Sequence, residues 1–213
     1  KTGIITRFCE KTSGPFMLTP FLLSLLCRSY ALLLDELPVP GNILIPMSVD
    51  LRGRAGIARD AVFFNQWSLQ PLLIPRELCA NPEAVFAELK GQIFENMSEQ
   101  LPQAFRAASR LGRIAPFPFL MSLVNKTKRT GCGTFMYSFL SESSLKSSEF
   151  CGHRILNLYH IPSMPPVTGA GVFMNSFGGA LNVTLSYRED SLTPNAVRRF
   201  ISSFVSALPK EAQ

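Results

Sequence analysis

Apolar positions along the chain recur with two periods, and the changes between those periods predict the elements. From Leu18 to Glu36 the sequence is apolar almost all round, through Phe21, Leu22, Leu23, Leu25, Leu26 and then Leu32 to Leu34. Thr19 and Pro20 suit a helix start, and Pro38, Pro40 and Gly41 suit its end. A helix without a polar face has to be buried on several sides. Ile43 to Leu51 shifts to period two, with Ile43, Ile45, Met47 and Val49 on one face of a strand. Val62 to Ile74, rich in Phe, Trp and Leu, predicts a second strand, and Pro71 places it at an edge or a bulge. Asn81-Pro82-Glu83 is a helix start, with a capping side chain, a proline in the first turn and an acid at the positive end of the dipole. Val85, Leu89, Ile93, Met97 and Leu101 then recur as one apolar stripe. Arg106 to Lys128 predicts further helix, interrupted at Pro116 and Pro118.

The rest of the chain is mostly strand. Thr134 to Phe139 predicts a short strand and Ser141 to Ser148 a loop. Arg154 to Ile161 and Gly171 to Phe177 predict strands separated by the prolines of Pro162 to Pro166. Leu181 to Tyr187 alternates, with Leu181, Val183, Leu185 and Tyr187 expected inward. Gly178-Gly179 makes it a hairpin with the strand before. A last helix starts at Thr193-Pro194 and carries Val197, Phe200, Ile201, Phe204, Val205 and Leu208 on one side. Hairpins in place of regular βα alternation predict an α+β fold, a two-layer α/β sandwich with a mixed sheet. No Gly-rich loop links a strand to a helix, which excludes a doubly wound nucleotide fold. Residues 1–213 read as a single domain, long enough for one good-sized core.

Composition narrows the function classes. The 17 Phe and 46% hydrophobic residues exclude disorder. A formal charge of +6 favours an anionic partner, whether a phosphate-bearing cofactor, an acidic protein or a lipid surface. The densest basic clusters are Arg52, Arg54 and Arg59, then Lys126, Lys128 and Arg129, then Arg198 and Arg199. They form no long stripe, and no zinc-finger, RRM or helix-turn-helix signature occurs, so no nucleic-acid partner is expected. Five widely spaced cysteines without a CxxC encode neither a zinc ribbon nor a thioredoxin-type site and fit a reducing cytoplasm. Three glycosylation sequons, at Asn96, Asn125 and Asn182, carry little weight without a signal peptide. The most apolar run, Pro15 to Cys27, is broken by Arg28 and is too short for the roughly 20 residues of a membrane helix. The start at Lys1 reads as an excised or processed piece.

Recognisable catalytic chemistry is sparse. His153 and His160 belong to no HExxH or paired-ligand spacing, so no metal site is expected. There is no GxSxG elbow and no phosphate-binding loop. Cys–His catalysis through Cys132 or Cys151 stays open on residue types alone.

Three segments in order carry a resemblance. Ile43 to Asn65 (ILIPMSVDLRGRAGIARDAVFFN), Arg154 to Pro166 (RILNLYHIPSMPP) and Val172 to Leu208 (VFMNSFGGALNVTLSYREDSLTPNAVRRFISSFVSAL) together resemble the C-terminal half of the chloramphenicol-acetyltransferase-like superfamily. That group includes CoA-dependent acyltransferases, wax ester synthases and the condensation domains of nonribosomal peptide synthetases. Thr19-Pro20 departs from the Asn-Asp of the wax ester synthase branch. The resemblance implies a lobe that lines one wall of a channel. The catalytic HHxxxDG motif would lie in an N-terminal lobe, and this sequence contains no HxxxD. It implies an acyl-CoA or phosphopantetheine thioester as co-substrate, with no tightly bound cofactor. Expected partners are the N-terminal acyltransferase lobe and either acyl-CoA or an acidic carrier protein. A lobe cut from its partner exposes an apolar face, so a homodimer is also expected. By the same resemblance Arg52, Asn65, Asn175, Ser176 and Gly178 become candidates for the channel or lobe interface, with no catalytic residue in this chain. The alternative reading is a noncatalytic binding or assembly module that retains the lobe fold.

Overall fold

The computed structural model describes residues 2–14, 17–34, 41–53, 57–58, 66–130, 133–142, 149–163 and 168–209. In chain order the elements are α1 (Thr2–Ser13), α2 (Leu18–Leu34), β1 (Ile43–Asp50), β2 (Trp67–Ile74), a short 3-10 turn (Arg76–Ala80), α3 (Pro82–Ser98), α4 (Leu101–Gly112), α5 (Phe117–Thr130), β3 (Gly133–Glu142), β4 (Glu149–Phe150), β5 (His153–Arg154), β6 (Thr168–Phe177), β7 (Ala180–Tyr187) and α6 (Pro194–Ala207). Five strands form one mixed sheet in the order β2-β1-β3-β6-β7. The three inner strands β1, β3 and β6 run parallel, and each outer strand is antiparallel to its neighbour.

Alternation decides which side of this sheet is core. Ile43, Ile45 and Met47 of β1, Leu72 and Ile74 of β2, Phe135 and Tyr137 of β3, and Val172 and Met174 of β6 are buried in a single cluster. Helices α2, α3 and α6 supply its other half through Leu22, Leu23, Leu26, Val85, Leu89, Phe200 and Phe204. The α2 run from Leu22 to Cys27 is buried without interruption, as its lack of a polar face requires. Tyr30 packs its ring 5.3 Å from Phe135 and 6.0 Å from Phe200, tying α2 to both the sheet and α6. This is the two-layer α/β sandwich with a mixed sheet that the sequence predicts.

Caps and edges follow local chemistry. The Asn81 side chain accepts from the backbone N–H groups of Glu83 and Ala84 at 3.0 and 3.2 Å, and Thr193 caps α6 from Ala196 at 3.2 Å. Gln92 of α3 seals the edge strand β2 like a missing neighbour: it accepts from Leu73 N–H at 2.8 Å and donates to Leu73 C=O at 2.7 Å. Asn96 donates to Pro71 C=O at 3.1 Å, so this sequon asparagine is engaged inside the fold.

Four expectations are corrected. The stripe from Val85 to Leu101 is not one helix. Spacing by four against 3.6 residues per turn drifts about 40° each step, so Val85 and Leu89 are buried while Ile93 and Met97 are half-buried. The chain then breaks at Gln100, held at φ 56°, and Leu101 opens α4. Arg154 to Ile161 is not a strand: beyond the β4–β5 pair, residues 155–163 are irregular and lie across the far face of β6 and β7. Val183, expected inward, is exposed on β7, whereas Leu181, Leu185 and Tyr187 pack against the core. Finally, α1 had no counterpart among the expected elements; it turns only Ile5 and Cys9 inward.

Candidate functional site

Because β1, β3 and β6 are parallel, their C-terminal ends share one edge of the sheet, and the first turn of α2 sits over it. Two cavities open there. One, of about 310 Å³, is lined by Thr19 and Pro20 of α2, Met47 to Asp50 of β1, Gln70 of β2, Ile93 and Met97 of α3, and Tyr137 and Phe139 of β3. The other, of about 500 Å³, is lined by Thr2, Thr6 and Arg7 of α1, by Leu18 and Phe139, and by Ser176 and Gly179 at the β6–β7 turn. Phe139 borders both. The C-terminal ends of parallel strands in open sheets are a recurrent place for ligands. Both volumes fall within the roughly 300–1,000 Å³ of small-molecule sites. The first turn of a helix adds partial positive charge, which Arg7 extends.

The smaller cavity contains the main electrostatic anomaly. Gln70 is fully buried; its Nε2 reaches Ile93 C=O only at 3.5 Å, and its Oε1 has no partner. Tyr137 is equally buried, and its hydroxyl makes no well-formed hydrogen bond. Burial pushes this phenol up from its ordinary value, and the Thr19 hydroxyl nearby offsets part of that.

The expected site residues divide between two regions. Ser176 borders the larger cavity, its hydroxyl 3.2 Å from Thr2 Oγ1. Gly178 stands in the adjoining turn, where φ of 57° at Gly178 and 76° at Gly179 allow the tight hairpin. Arg52 follows β1 and is held by its own strand end, its guanidinium 2.7 Å from Asp50, which borders the smaller cavity. Asn175 belongs elsewhere. It points to the face of β6 opposite the helices, where it is buried and donates to Leu158 C=O at 2.7 Å. Asn182, its partner in register, donates to the same carbonyl at 3.1 Å and exchanges hydrogen bonds with Asn157 at 2.8 and 3.0 Å. These asparagines fasten residues 155–163 over the sheet. His160 adds an edge-on contact with Phe173, at 5.9 Å between ring centroids. Asn65 lies outside the described residues, as do Arg54, Arg59 and Cys132.

Gln70 and Tyr137 are the site residues that sequence reasoning missed. One signal existed: glutamine at an inward position, two residues after Ser68 and on the same side as the apolar Leu72 and Ile74.

Among the described residues no histidine lines either cavity, and the titratable groups there are Arg7, Asp50 and Tyr137. Among the described residues no cluster of His, Cys, Asp and Glu could hold a metal ion. No single described helix is long and apolar enough to cross a membrane. Cys9, Cys27 and Cys79 are buried, and burial raises each thiol above its ordinary value, Cys9 to about 11. Cys151 is exposed in the β4–β5 turn and borders neither cavity.

The thiols give a first prediction. At pH 8 roughly one Cys9 in a thousand is thiolate. Iodoacetamide followed by peptide mass spectrometry should therefore find Cys151 alkylated and Cys9, Cys27 and Cys79 protected. The linkage has a definite sign. Above pH 9 the unfolded chain loses its Cys9 proton while the folded chain keeps it, so stability falls as pH rises from 9 to 11. In a thermal-melt series the Cys9→Ala variant should decline less over that window. An equal decline would remove Cys9 as the cause.

The fold occurs in solved structures of other proteins. Over 97% of its length the chain superposes on the epimerization domain from the third module of tyrocidine synthetase B, with a TM-score of 0.61 and 13% identity, covering 44% of that chain. It matches a trichothecene 15-O-acetyltransferase from Fusarium sporotrichioides over 96% of its length (TM-score 0.63, 16% identity, 43% of that chain). It also matches the condensation domain of the Monacolin K polyketide synthase MokA over 97% (TM-score 0.60, 15% identity, 43% of that chain). The chain thus has the fold shared by condensation domains and chloramphenicol-acetyltransferase-like acyltransferases. It spans less than half the length of these neighbours. No protein-family model matches the sequence, and no curated protein does.

Proposed function

We propose that the chain is the C-terminal lobe of an acyltransferase or condensation-type enzyme. In this reading an acyl group arrives as a CoA or carrier-protein thioester and is attacked by a hydroxyl or amine, releasing the thiol. The observation that carries it is the coverage: almost the whole chain superposes on epimerization, acetyltransferase and condensation domains, and it accounts for only 43–44% of each. Attack on a thioester needs a base within hydrogen-bond reach of the nucleophile. No histidine borders the described cavities, so the base is assigned to a partner N-terminal lobe. This chain contributes a wall and binding surface, with Arg52, Ser176 and Gly178 near the strand-end clefts.

The test has two arms. The purified chain, given an acyl-CoA and an acceptor amine, is expected to release thiol at the uncatalysed rate in a chromogenic assay. Sequencing the coding DNA upstream of Lys1 is expected to find an in-frame HHxxxDG about one lobe away. Thiol release proportional to the concentration of this chain alone would overturn the assignment of the base. A start codon immediately before Lys1 would favour the noncatalytic module. That second reading is supported by the same histidine-free clefts. It predicts calorimetric binding of an acidic protein that does not require a thioester.

A further inference from the structure

We infer that the free edge of β7, together with the outer flank of α6, is a docking groove for an extended, acidic strand of a partner protein. This goes beyond the acyl-transfer reading, since no residue of β7 or α6 borders either cavity. The two edges of the sheet differ. β2 carries Pro71 and is sealed by the Gln92 and Asn96 side chains of α3. β7 has none of the usual guards: Ala180 to Tyr187 contains no charge and no proline, and it pairs with β6 without a shift of register. Arg188 N–H donates to Gly169 C=O at 3.2 Å, which fixes the phase of this antiparallel ladder. Counting back in twos, Ser186, Thr184, Asn182 and Ala180 turn their backbone groups toward β6. Leu181, Val183, Leu185 and Tyr187 therefore turn theirs outward, and among the described residues nothing bonds to them.

Helix α6 supplies a second wall. α2 lies between α3 and α6, and α3 is bonded to β2, so α6 covers the opposite end of the sheet. Ser203 of α6 meets Ser29 of α2 at 3.1 Å, which marks the flank turned toward α2. Ile201 and Val205 stand two residues either side of Ser203, about 200° round the helix, and so face away from α2. They are 44% and 56% exposed and form one row with the exposed Arg198. Val183 pairs with the core residue Met174 yet is itself exposed, which leaves an uncovered strip between β7 and α6. An added strand would gain affinity from the outward backbone groups of β7 and lay alternate apolar side chains along this row. Charge chooses the occupant. α6 carries Arg198 and Arg199 and no acid, and β7 carries no charge. The acids that follow β7 stand past its end, with Asp190 bonded to Arg188. A second copy would set one Arg198 row against another across a two-fold axis, whereas an acidic strand complements it.

The backbone itself provides the readout. The 15N-labelled chain is titrated with the blocked peptide acetyl-DEVTVTVS-amide, and amide hydrogen exchange is followed residue by residue. In the free chain Leu181, Val183, Leu185 and Tyr187 are expected to exchange fast and Asn182, Thr184 and Ser186 slowly. Saturating peptide should slow the first set by about tenfold or more. Val183→Pro removes an outward N–H where an edge strand tolerates proline, and should weaken binding about tenfold. Two copies of the peptide, N-methylated on its valines or on its threonines, block one edge each, and one of them should lose binding. Arg198→Glu should weaken the acidic peptide and strengthen a copy with KK in place of DE. Absence of saturable slowing at the four outward amides up to about 1 mM peptide, a Kd limit of roughly −4 kcal/mol, would overturn the proposal. So would full binding of both N-methylated copies, a comparison that holds even where a variant fails to fold. Equal affinity of the unaltered chain for acidic and basic peptides would remove the acidic partner. Slow exchange of the four amides in the free chain, growing with its concentration, would place a second copy on this edge and overturn the assignment as well.

Discussion

Leu26→Ala is expected to remove about 2–5 kcal/mol of stability and to lower the melting temperature by roughly 6–15 °C for a chain of this size. Leu26 is fully buried at the centre of α2, the helix that meets α1, α3, α6 and the 3-10 turn while covering the sheet. Alanine is the better helix former, so the loss cannot come from propensity. It comes from apolar area returned to water and from a cavity enclosed on several sides, which can close only by moving several elements together. Leu32→Ala is the control. Leu32 lies on the same helix but is 53% exposed, and its replacement should cost less than ~1 kcal/mol. Chemical denaturation with both variants decides the matter. A Leu26→Ala loss no larger than that of Leu32→Ala would mean that α2 is not the packing centre.

That prediction rests on what the sequence makes legible. The Leu18–Leu34 helix, the Asn81 cap and the Gly178-Gly179 hairpin could all be read because each is specified locally: an unbroken apolar run, a capping side chain, two residues tolerant of positive φ. Misreadings arose where distant contacts decide. Residues 155–161 carry Ile155, Leu156, Leu158 and Tyr159, good strand formers, yet Asn157 bonds the next backbone N–H at 2.9 Å and pairs with Asn182, so a side-chain anchor replaces the strand ladder. Helix α1 was missed because two inward residues in twelve make no readable stripe. The clefts were legible only in part. Ser176 and Gly178 became candidates only through the resemblance, and Gln70 and Tyr137 meet only through the pairing of β1 with both β2 and β3. Such register is set by the whole sheet, and no local pattern announces it.

The second large effect is expected at the surface of α4 and α5. Among the described side chains of the two helices none belongs to the core cluster, while Phe105, Leu111, Phe117 and Phe119, and Ile114 between the helices, are exposed, with Phe94 of α3 close by in sequence. Charge gathers on the same part of the chain. From Leu101 to Ser141 there are six basic residues (Arg106, Arg110, Arg113, Lys126, Lys128 and Arg129) and no acidic one, and elsewhere 15 Lys and Arg balance 15 Asp and Glu. The net charge of +6 therefore belongs to this stretch. An apolar surface carrying one sign of charge suits a partner of the other sign, as proposed for the missing lobe, better than a second identical copy. Two copies meeting here would repel until salt screens them within a Debye length of about 10 Å at 0.1 M. The isolated chain is thus expected to self-associate, and to do so more strongly at high salt, by analytical ultracentrifugation. The triple variant Ile114→Ser, Phe117→Ser, Phe119→Ser should stay monomeric in both conditions with its melting temperature changed by less than about 3 °C, since none of the three supports the core. A monomeric parent chain at high concentration and high salt would show that these side chains need no cover, and would remove the surface argument for a partner lobe. Association weakened by salt would point instead to pairing of opposite charges and move the contact away from α4 and α5.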